Sequence, residues 1–246
     1  MGKNVDNSGV MHINVENHLK NIGIAIICII GVLSVVFCSI KLKDGANDVG
    51  LTPHKTTIVI DAGHGGIDSG VSGIKSKVKE SSLNLEYSKC LLDILVSFGF
   101  NVVLTRPTEA GLYGSATKGF KKRDMLKRKK IIERSNADIL VSIHMNYCNV
   151  KSRRSAQTFY KKEHDDSKKL AFAIQNEINA LDETVKKTNP LVGDYYVLNC
   201  ADIPSVLVEC GFLSNEIDER MLLDEKYKKS LCYAVYKGIV SFLTNK

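Results

Sequence analysis

Hydrophobic and polar residues follow two rhythms along residues 56–246. Short unbroken apolar runs occur at Ile58-Val59-Ile60, Ile139-Leu140-Val141 and Val206-Leu207-Val208. Runs of that length predict strands buried on both faces. Between them, apolar residues recur at helical spacing. Leu83, Tyr87, Leu91, Ile94 and Phe98 predict a helix over 82–98, with Gly99 as its C-terminal stop. Leu170, Ile174, Ile178 and Leu181 predict another near 166–181. Tyr227, Leu231, Val235, Ile239 and Phe242 predict a terminal one, and a basic helix is expected near 120–135. Strands are expected over 57–61, 100–105, 138–144, 155–160, 194–199 and 205–210. This alternation predicts an α/β fold: a single domain whose mostly parallel or mixed twisted sheet carries helices on both faces.

Upstream the pattern changes. Asn21 through Ile40 is a run of 20 residues without a charge, long enough to cross a bilayer as a helix. The chain therefore divides into a short N-terminal segment (1–20), a transmembrane anchor or uncleaved signal (21–42), a polar linker (43–55) and a catalytic domain (56–246). A cleaved signal peptide fits less well, because the apolar core is long and no small-x-small site follows it. Phe37, ahead of Cys38, is bulky where a lipidation signal has a small residue. Lys3 and Lys20 precede the span and Lys41 and Lys43 follow it, so flanking charge does not orient it.

Composition narrows the picture further. The formal charge of +7 falls to +5 beyond residue 43, with 30 Lys and Arg against 25 Asp and Glu. Mild basicity suits an anionic polymer surface. The run Lys118–Lys130 holds eight basic residues, but it lacks the interleaved stacking aromatics of a nucleic-acid binder and reads as a solvated helix face. Of seven cysteines, Cys28 and Cys38 lie in the apolar span. The other five show no C-x-x-C spacing, which argues against a disulfide framework. Cys90 and Cys232 fall on apolar helical faces and read as small buried hydrophobes.

The candidate chemistry sits at the ends of the predicted elements. His64 lies just past the first strand, in Asp61-Ala62-Gly63-His64-Gly65-Gly66. His144 ends one predicted strand, Glu209 ends another, and Glu80 stands before a helix. Side chains at strand carboxyl ends converge on a crevice in such folds. Two imidazoles and a carboxylate make a catalytic zinc site with one position open, and a second carboxylate can act as a base. Gly73 to Lys77, just before Glu80, reads as a flexible loop. A cysteine hydrolase using Cys210 or Cys148 with His144 is the competing chemistry. It would leave His64, Glu80 and Glu209 idle.

The segments Val59–Gly66, Lys79–Leu85, Leu104-Thr105-Arg106, Val141–Asn146 and Val208–Asn215 together resemble the zinc-dependent N-acetylmuramoyl-L-alanine amidases of the third amidase family, in order and spacing over essentially all of 56–246. The resemblance implies that His64, Glu80 and His144 hold Zn2+, that Glu209 is the catalytic glutamate, and that the substrate is peptidoglycan. Met145, where the family usually has a small residue, and Cys210 depart from the pattern. Arg106, Arg128 and Asn146 are candidates for substrate binding or for supporting the site. A compact domain behind one apolar segment looks most like the germination-specific spore cortex amidases, whose action lets muramic-δ-lactam form. A general vegetative cell-wall amidase is the alternative. The same resemblance implies a catalytic domain outside the cytoplasm, membrane-anchored or secreted, at the forespore membrane or cortex space. An activating accessory protein is also expected, since no wall-targeting repeat or internal lid is apparent.

Overall fold

The computed structural model describes residues 55–115, 118–181 and 187–245. The predicted anchor and nearly all of the linker lie outside these residues. Among the described residues, no helix is long and apolar enough to cross a membrane.

Six strands form one mixed sheet. They are β1 (Thr57–Ala62), β2 (Asn101–Leu104), β3 (Ile139–Asn146), β4 (Gln157–Tyr160), β5 (Leu191–Val192) and β6 (Ser205–Phe212), in the order β2-β1-β3-β6-β4-β5. The pairs β1–β2, β1–β3, β3–β6 and β4–β5 are parallel, and β4–β6 is antiparallel. Five α-helices are described: α1 (Glu80–Ser97), α2 (Phe120–Arg134), α3 (Asp165–Asn179), α4 (Glu216–Leu222) and α5 (Glu225–Thr244).

Strand periodicity sorts the core into two layers. Ile58, Ile60, Ile139, Val141, Ile143, Val206 and Val208 face one side, where Leu83, Leu91, Leu170, Ile174, Leu231 and Ile239 from α1, α3 and α5 cover them. Val59, Leu140 and Leu207 face the other side and meet Ile132 of α2 together with Val197 and Leu198. Full burial on both faces explains why the central strands are continuously apolar. Helices α3 and α5 cross closely: a Cβ on Gly238 would fall 2.4 Å from the Ile174 Cα. A glycine in mid-helix there permits backbone contact.

Three expectations need correction. Residues 194–199 are not a strand. A two-residue strand precedes them, and Tyr196–Asn199 form a 3₁₀ turn. Val197 and Leu198 are buried, so the short apolar run reflects packing under the sheet rather than strand pairing. Helix α4 was absent from the expected elements. Asn215 caps it, its Oδ1 accepting from the Ile217 and Asp218 N–H groups at 3.0 and 3.1 Å. The loop at 73–77 is held in place, as described below.

Candidate metal centre

The site lies where β1, β3 and β6 end. Strand β1 runs into the glycine-rich loop, and the Gly63 N–H donates to the Ile143 carbonyl of β3 at 3.1 Å. A Cβ on Gly63 would stand 2.3 Å from the His144 ring, so only glycine lets the loop pass this close. The next residue, His64, takes the left-handed φ of 60°. A non-glycine residue is strained there, and such strain persists where surrounding contacts dictate it.

Those contacts come from two buried arginines. Arg106, fully buried, donates to the carbonyls of Ala62 (2.9 Å), Gly63 (2.9 Å), Ser81 (2.6 Å) and Thr108 (2.9 Å). Arg128, 1% exposed, donates to Asp61 (2.6 Å), Asp124 (2.7 Å) and the carbonyls of Ala62 (2.7 Å) and His64 (2.5 Å). These bonds run to backbone carbonyls in and around the glycine-rich loop and to the carboxylates of Asp61 and Asp124. In this conformation Arg106 and Arg128 shape the site rather than present their charge to a substrate. Burial raises the Asp61 pKa, but Arg128 and the Thr105 hydroxyl outweigh it and bring it down to about 2. Asn146 is partly buried, its Oδ1 accepting from the Tyr147 N–H at 2.8 Å.

Glu80 opens α1 and is 3% exposed. Its Oε1 lies 2.9 Å from His144 Nδ1 and 3.2 Å from His64 Nε2. The same oxygen accepts from the Met145 N–H and Asn84 Nδ2, both at 3.3 Å. Oε2 accepts from the Val71 N–H at 3.0 Å. Burial pushes this carboxyl up, but the two imidazoles bonded to it hold it well below the usual carboxylate range. His64 Nδ1 sits 2.9 Å from Asp68 Oδ1, an outer carboxylate of the kind that fixes a ligand histidine's ring and tautomer.

One donor atom each from His64, Glu80 and His144 lies within 4.8 Å of the others. Metal–ligand bonds of about 2.0–2.2 Å at tetrahedral angles put ligand atoms roughly 3.4 Å apart. The two separations from Glu80 Oε1, 2.9 and 3.2 Å, are close to that spacing.

Glu209 completes the group. It is registered directly beside His144 across the β3–β6 ladder, on the sheet face that α2 covers. Its Oε2 is buried and has no hydrogen-bond partner among the described residues. Burial raises its pKa, with His144 opposing and Glu80 adding, and the result is pushed up to about 7. An unsatisfied buried carboxylate oxygen is costly, and such cost is concentrated at functional positions. A cavity of about 150 Å³ reaches the two histidines and is also lined by Lys121, Met125, Tyr195 and Tyr196.

The cysteine alternative fails on geometry. Cys210 is the strand neighbour of Glu209 and so points to the opposite face, into the core. Burial drives its thiol well above the ordinary value, whereas a nucleophilic cysteine needs the thiolate. The Cys148 Sγ donates to the Val150 carbonyl at 3.3 Å. Met145 likewise points into the core, away from the site.

Three supporting residues escaped the sequence reading. Asp68 orients His64. Tyr195 lines the cavity, and its hydroxyl pKa is raised by burial and by the charge of Glu209. Glu219 on α4, 2% exposed, accepts from the Lys75 N–H at 3.0 Å, the Ser76 N–H at 2.7 Å and the Ser76 hydroxyl at 2.6 Å. It pins the segment expected to be flexible, close behind Glu80. Asn215 followed by acidic residues at 216, 218 and 219 is a helix-start signal that could have revealed α4. Nothing local reveals the clamp, which joins residues more than 140 positions apart.

The model of the family described as N-acetylmuramoyl-L-alanine amidase matches residues 58–241. The germination-specific N-acetylmuramoyl-L-alanine amidase of Bacillus subtilis (strain 168) is 34% identical over 193 residues, covering 77% of this chain and 80% of that protein. The solved structure of the CwlD amidase from Clostridioides difficile in complex with the GerS lipoprotein superimposes with a TM-score of 0.75 at 38% identity, covering 78% of this chain and 100% of that one. An N-acetylmuramoyl-L-alanine amidase from Clostridium difficile 630 gives a TM-score of 0.69 at 30% identity, covering 78% and 98%.

The Glu219 clamp has a measurable consequence. Glu219→Ala removes three hydrogen bonds from the segment leading to Glu80, and support lost around a ligand typically lowers metal affinity by about 10–100-fold. Competition with a chromogenic chelator is expected to show a zinc affinity lower by that factor, with far-UV circular dichroism retained. Unchanged affinity would mean that Glu80 is positioned without the clamp.

Proposed function

The chain belongs to the N-acetylmuramoyl-L-alanine amidase family, and on that premise we propose that it cleaves the amide between the lactyl group of N-acetylmuramic acid and L-alanine in a zinc-dependent reaction. The observation that carries the reading is the convergence of His64, Glu80 and His144 beside the strand-paired Glu209. The three donors would hold zinc, which when bound supplies Lewis acidity and activates water at neutral pH. Glu209 supplies the proton traffic. Its carboxylate accepts a proton from the attacking water and returns it to the leaving nitrogen of L-alanine; burial holds its pKa above the ordinary carboxylate value in the metal-free protein. The charge states of the two glutamates divide the work: Glu80 stays ionised as a ligand while Glu209 cycles.

Glu209→Gln tests the assignment twice. Turnover on muropeptides is expected to fall by about 10²–10⁴-fold, and chelation of the native enzyme to abolish it. The second readout is stability of the metal-free protein. The Glu209 pKa is raised from 4.5 in the unfolded chain to about 7 in the folded one, so the folded state binds the extra proton. Stability falls as pH rises through that window, at a cost on the order of 3 kcal/mol above pH 7. Glu209→Gln is therefore expected to raise the melting temperature at pH 8 and leave it nearly unchanged at pH 4. Retained turnover would assign the base elsewhere.

Spore cortex is the proposed substrate. Support comes from the germination-specific relative of Bacillus subtilis and from the CwlD structure. Spores lacking this protein are expected to have cortex without muramic-δ-lactam. Normal lactam content would favour the vegetative cell-wall reading.

The uncharged run at 21–40 supports a membrane-anchored or secreted protein with 56–246 outside the cytoplasm, at the forespore membrane or cortex space. The GerS lipoprotein in complex with the CwlD amidase supports an accessory protein for this chain as well. Fractionation, protease protection and affinity purification from sporulating cells test these together. The chain is expected in the membrane fraction, with its catalytic domain accessible from outside and a lipoprotein co-purifying. A domain shielded in the cytoplasm would refute the location, and purification without a lipoprotein would refute the partner.

A further inference from the structure

Asn84 stands one turn after Glu80 on α1, on the same face of the helix. Its side chain is fully buried. The amide nitrogen of asparagine carries two N–H donors, and both find acceptors at the metal centre. Nδ2 donates to the Gly63 carbonyl at 3.1 Å and to Glu80 Oε1 at 3.3 Å. Gly63 precedes His64 in the loop, and Oε1 is the oxygen that meets both imidazoles. One amide therefore joins the loop that carries His64 to the carboxylate oxygen that faces His144.

The other end of the amide is unpaired. Asn84 Oδ1 is buried and has no hydrogen-bond partner among the described residues. Turning the amide over gives no relief, because Oδ1 would then face two acceptors. Asparagine is also a weak residue for a helix interior. A leucine there would fill a similar space, favour the helix and leave no polar atom bare. Stability of the fold does not account for asparagine at this position, and local rules are broken in this way at functional sites.

We propose that Asn84 is a positioning residue of the metal centre, whose amide fixes the Glu80 carboxylate and the His64 loop at the separation that zinc requires. The inference rests on the reading of His64, Glu80 and His144 as the zinc ligands. A glutamate carboxylate has a broad torsion at its last bond, so a ligating one is held by outer hydrogen bonds. The Val71 N–H holds Oε2 at 3.0 Å, and Asn84 and the Met145 N–H hold Oε1. Of these three donors, it is Asn84 that also bonds the loop leading to His64. Each of its acceptors keeps a second donor. The Gly63 carbonyl has Arg106 Nη2 at 2.9 Å, and Glu80 Oε1 has the Met145 N–H at 3.3 Å. Loss of the amide would leave neither acceptor bare, so a positioning role and a structural role predict different results.

The experiment compares the full chain, purified in detergent and freed of metal, with its Asn84→Leu variant. Zinc affinity is read by competition with a chromogenic chelator, and the melting temperature of the metal-free protein by circular dichroism. Asn84→Leu is expected to bind zinc about 10–100-fold more weakly. Its metal-free melting temperature is expected to equal or exceed that of the wild type, because the unpaired oxygen is gone. Wild-type zinc affinity in the variant would overturn the role of Asn84 while leaving the ligand assignment intact. Weaker binding together with a lower metal-free melting temperature would also overturn it, by making Asn84 an ordinary packing residue. If Asn84→Leu shows no cooperative melting, Asn84→Ala takes its place, with affinity measured well below its melting temperature. The same loss of affinity there supports the proposal, and wild-type affinity overturns it. A wild-type chain that bound no zinc would refute the ligand assignment itself, and the proposal with it.

Discussion

A buried charge cluster at the end of β1 sets the geometry on which the site depends. Asp61 accepts from Arg128 at 2.6 Å, from the Thr105 hydroxyl at 2.7 Å and from the Ser142 hydroxyl at 2.8 Å. Arg128 and Arg106 then spend their other donors on the carbonyls of residues 62, 63 and 64. Those carbonyls turn away from the sheet as the strand ends, and burial without partners would cost about 1–3 kcal/mol each. Buried ion pairs add little net stability once desolvation is counted, because their attraction is offset by removal from water. Here their value is positional. They satisfy a backbone turn that holds His64 at a φ that side chains rarely adopt, and so aim its ring at Glu80.

The same neighbourhood separates two carboxylates that would otherwise behave alike. Glu80 receives two imidazoles, two backbone N–H groups and an amide, so its charge is solvated by the protein. Glu209 lies among packed strands with one oxygen unpaired. Both are buried, and the difference lies in what each oxygen meets. Pairs of acids pushed apart in this way divide into a permanent charge and a proton carrier. The unpaired oxygen is a standing cost to the metal-free fold.

The sequence made the central strands legible because they are buried on both faces and therefore continuously apolar. The four site residues were legible because strand ends and a helix start mark where side chains meet. The limits follow from the same physics. Val197 and Leu198 look like strand residues, yet they pack under the sheet from a 3₁₀ turn. Helix α4 has little apolar periodicity, since its buried residues include Asp218 and Glu219, whose acceptors serve distant loops. For Arg106 and Arg128 both substrate contact and support of the site stayed open, because nothing in a linear chain tells a buried arginine bonded to carbonyls from one facing a ligand. The 73–77 segment looked flexible by composition, and only the long-range clamp of Glu219 orders it.

Register explains why one residue decides between acid–base chemistry and core packing. Glu209 and Cys210 are adjacent on β6 and face opposite sides of the sheet, one toward the metal centre and one into the apolar core. The β3–β6 ladder keeps step through His144 and Glu209, then shifts before Asn146 pairs with Phe212. Two residues of β3 there span three of β6, the signature of a bulge. The extra residue comes after the histidine–glutamate pair, so the bulge re-aims the chain toward α4 without disturbing that pair. A shift one position earlier would turn Glu209 into the core and bring Cys210 to the site. Glu209 itself opposes that slip, because it would bury a carboxylate in the apolar cluster that holds Tyr87 and Leu222, where a charge without partners is expensive.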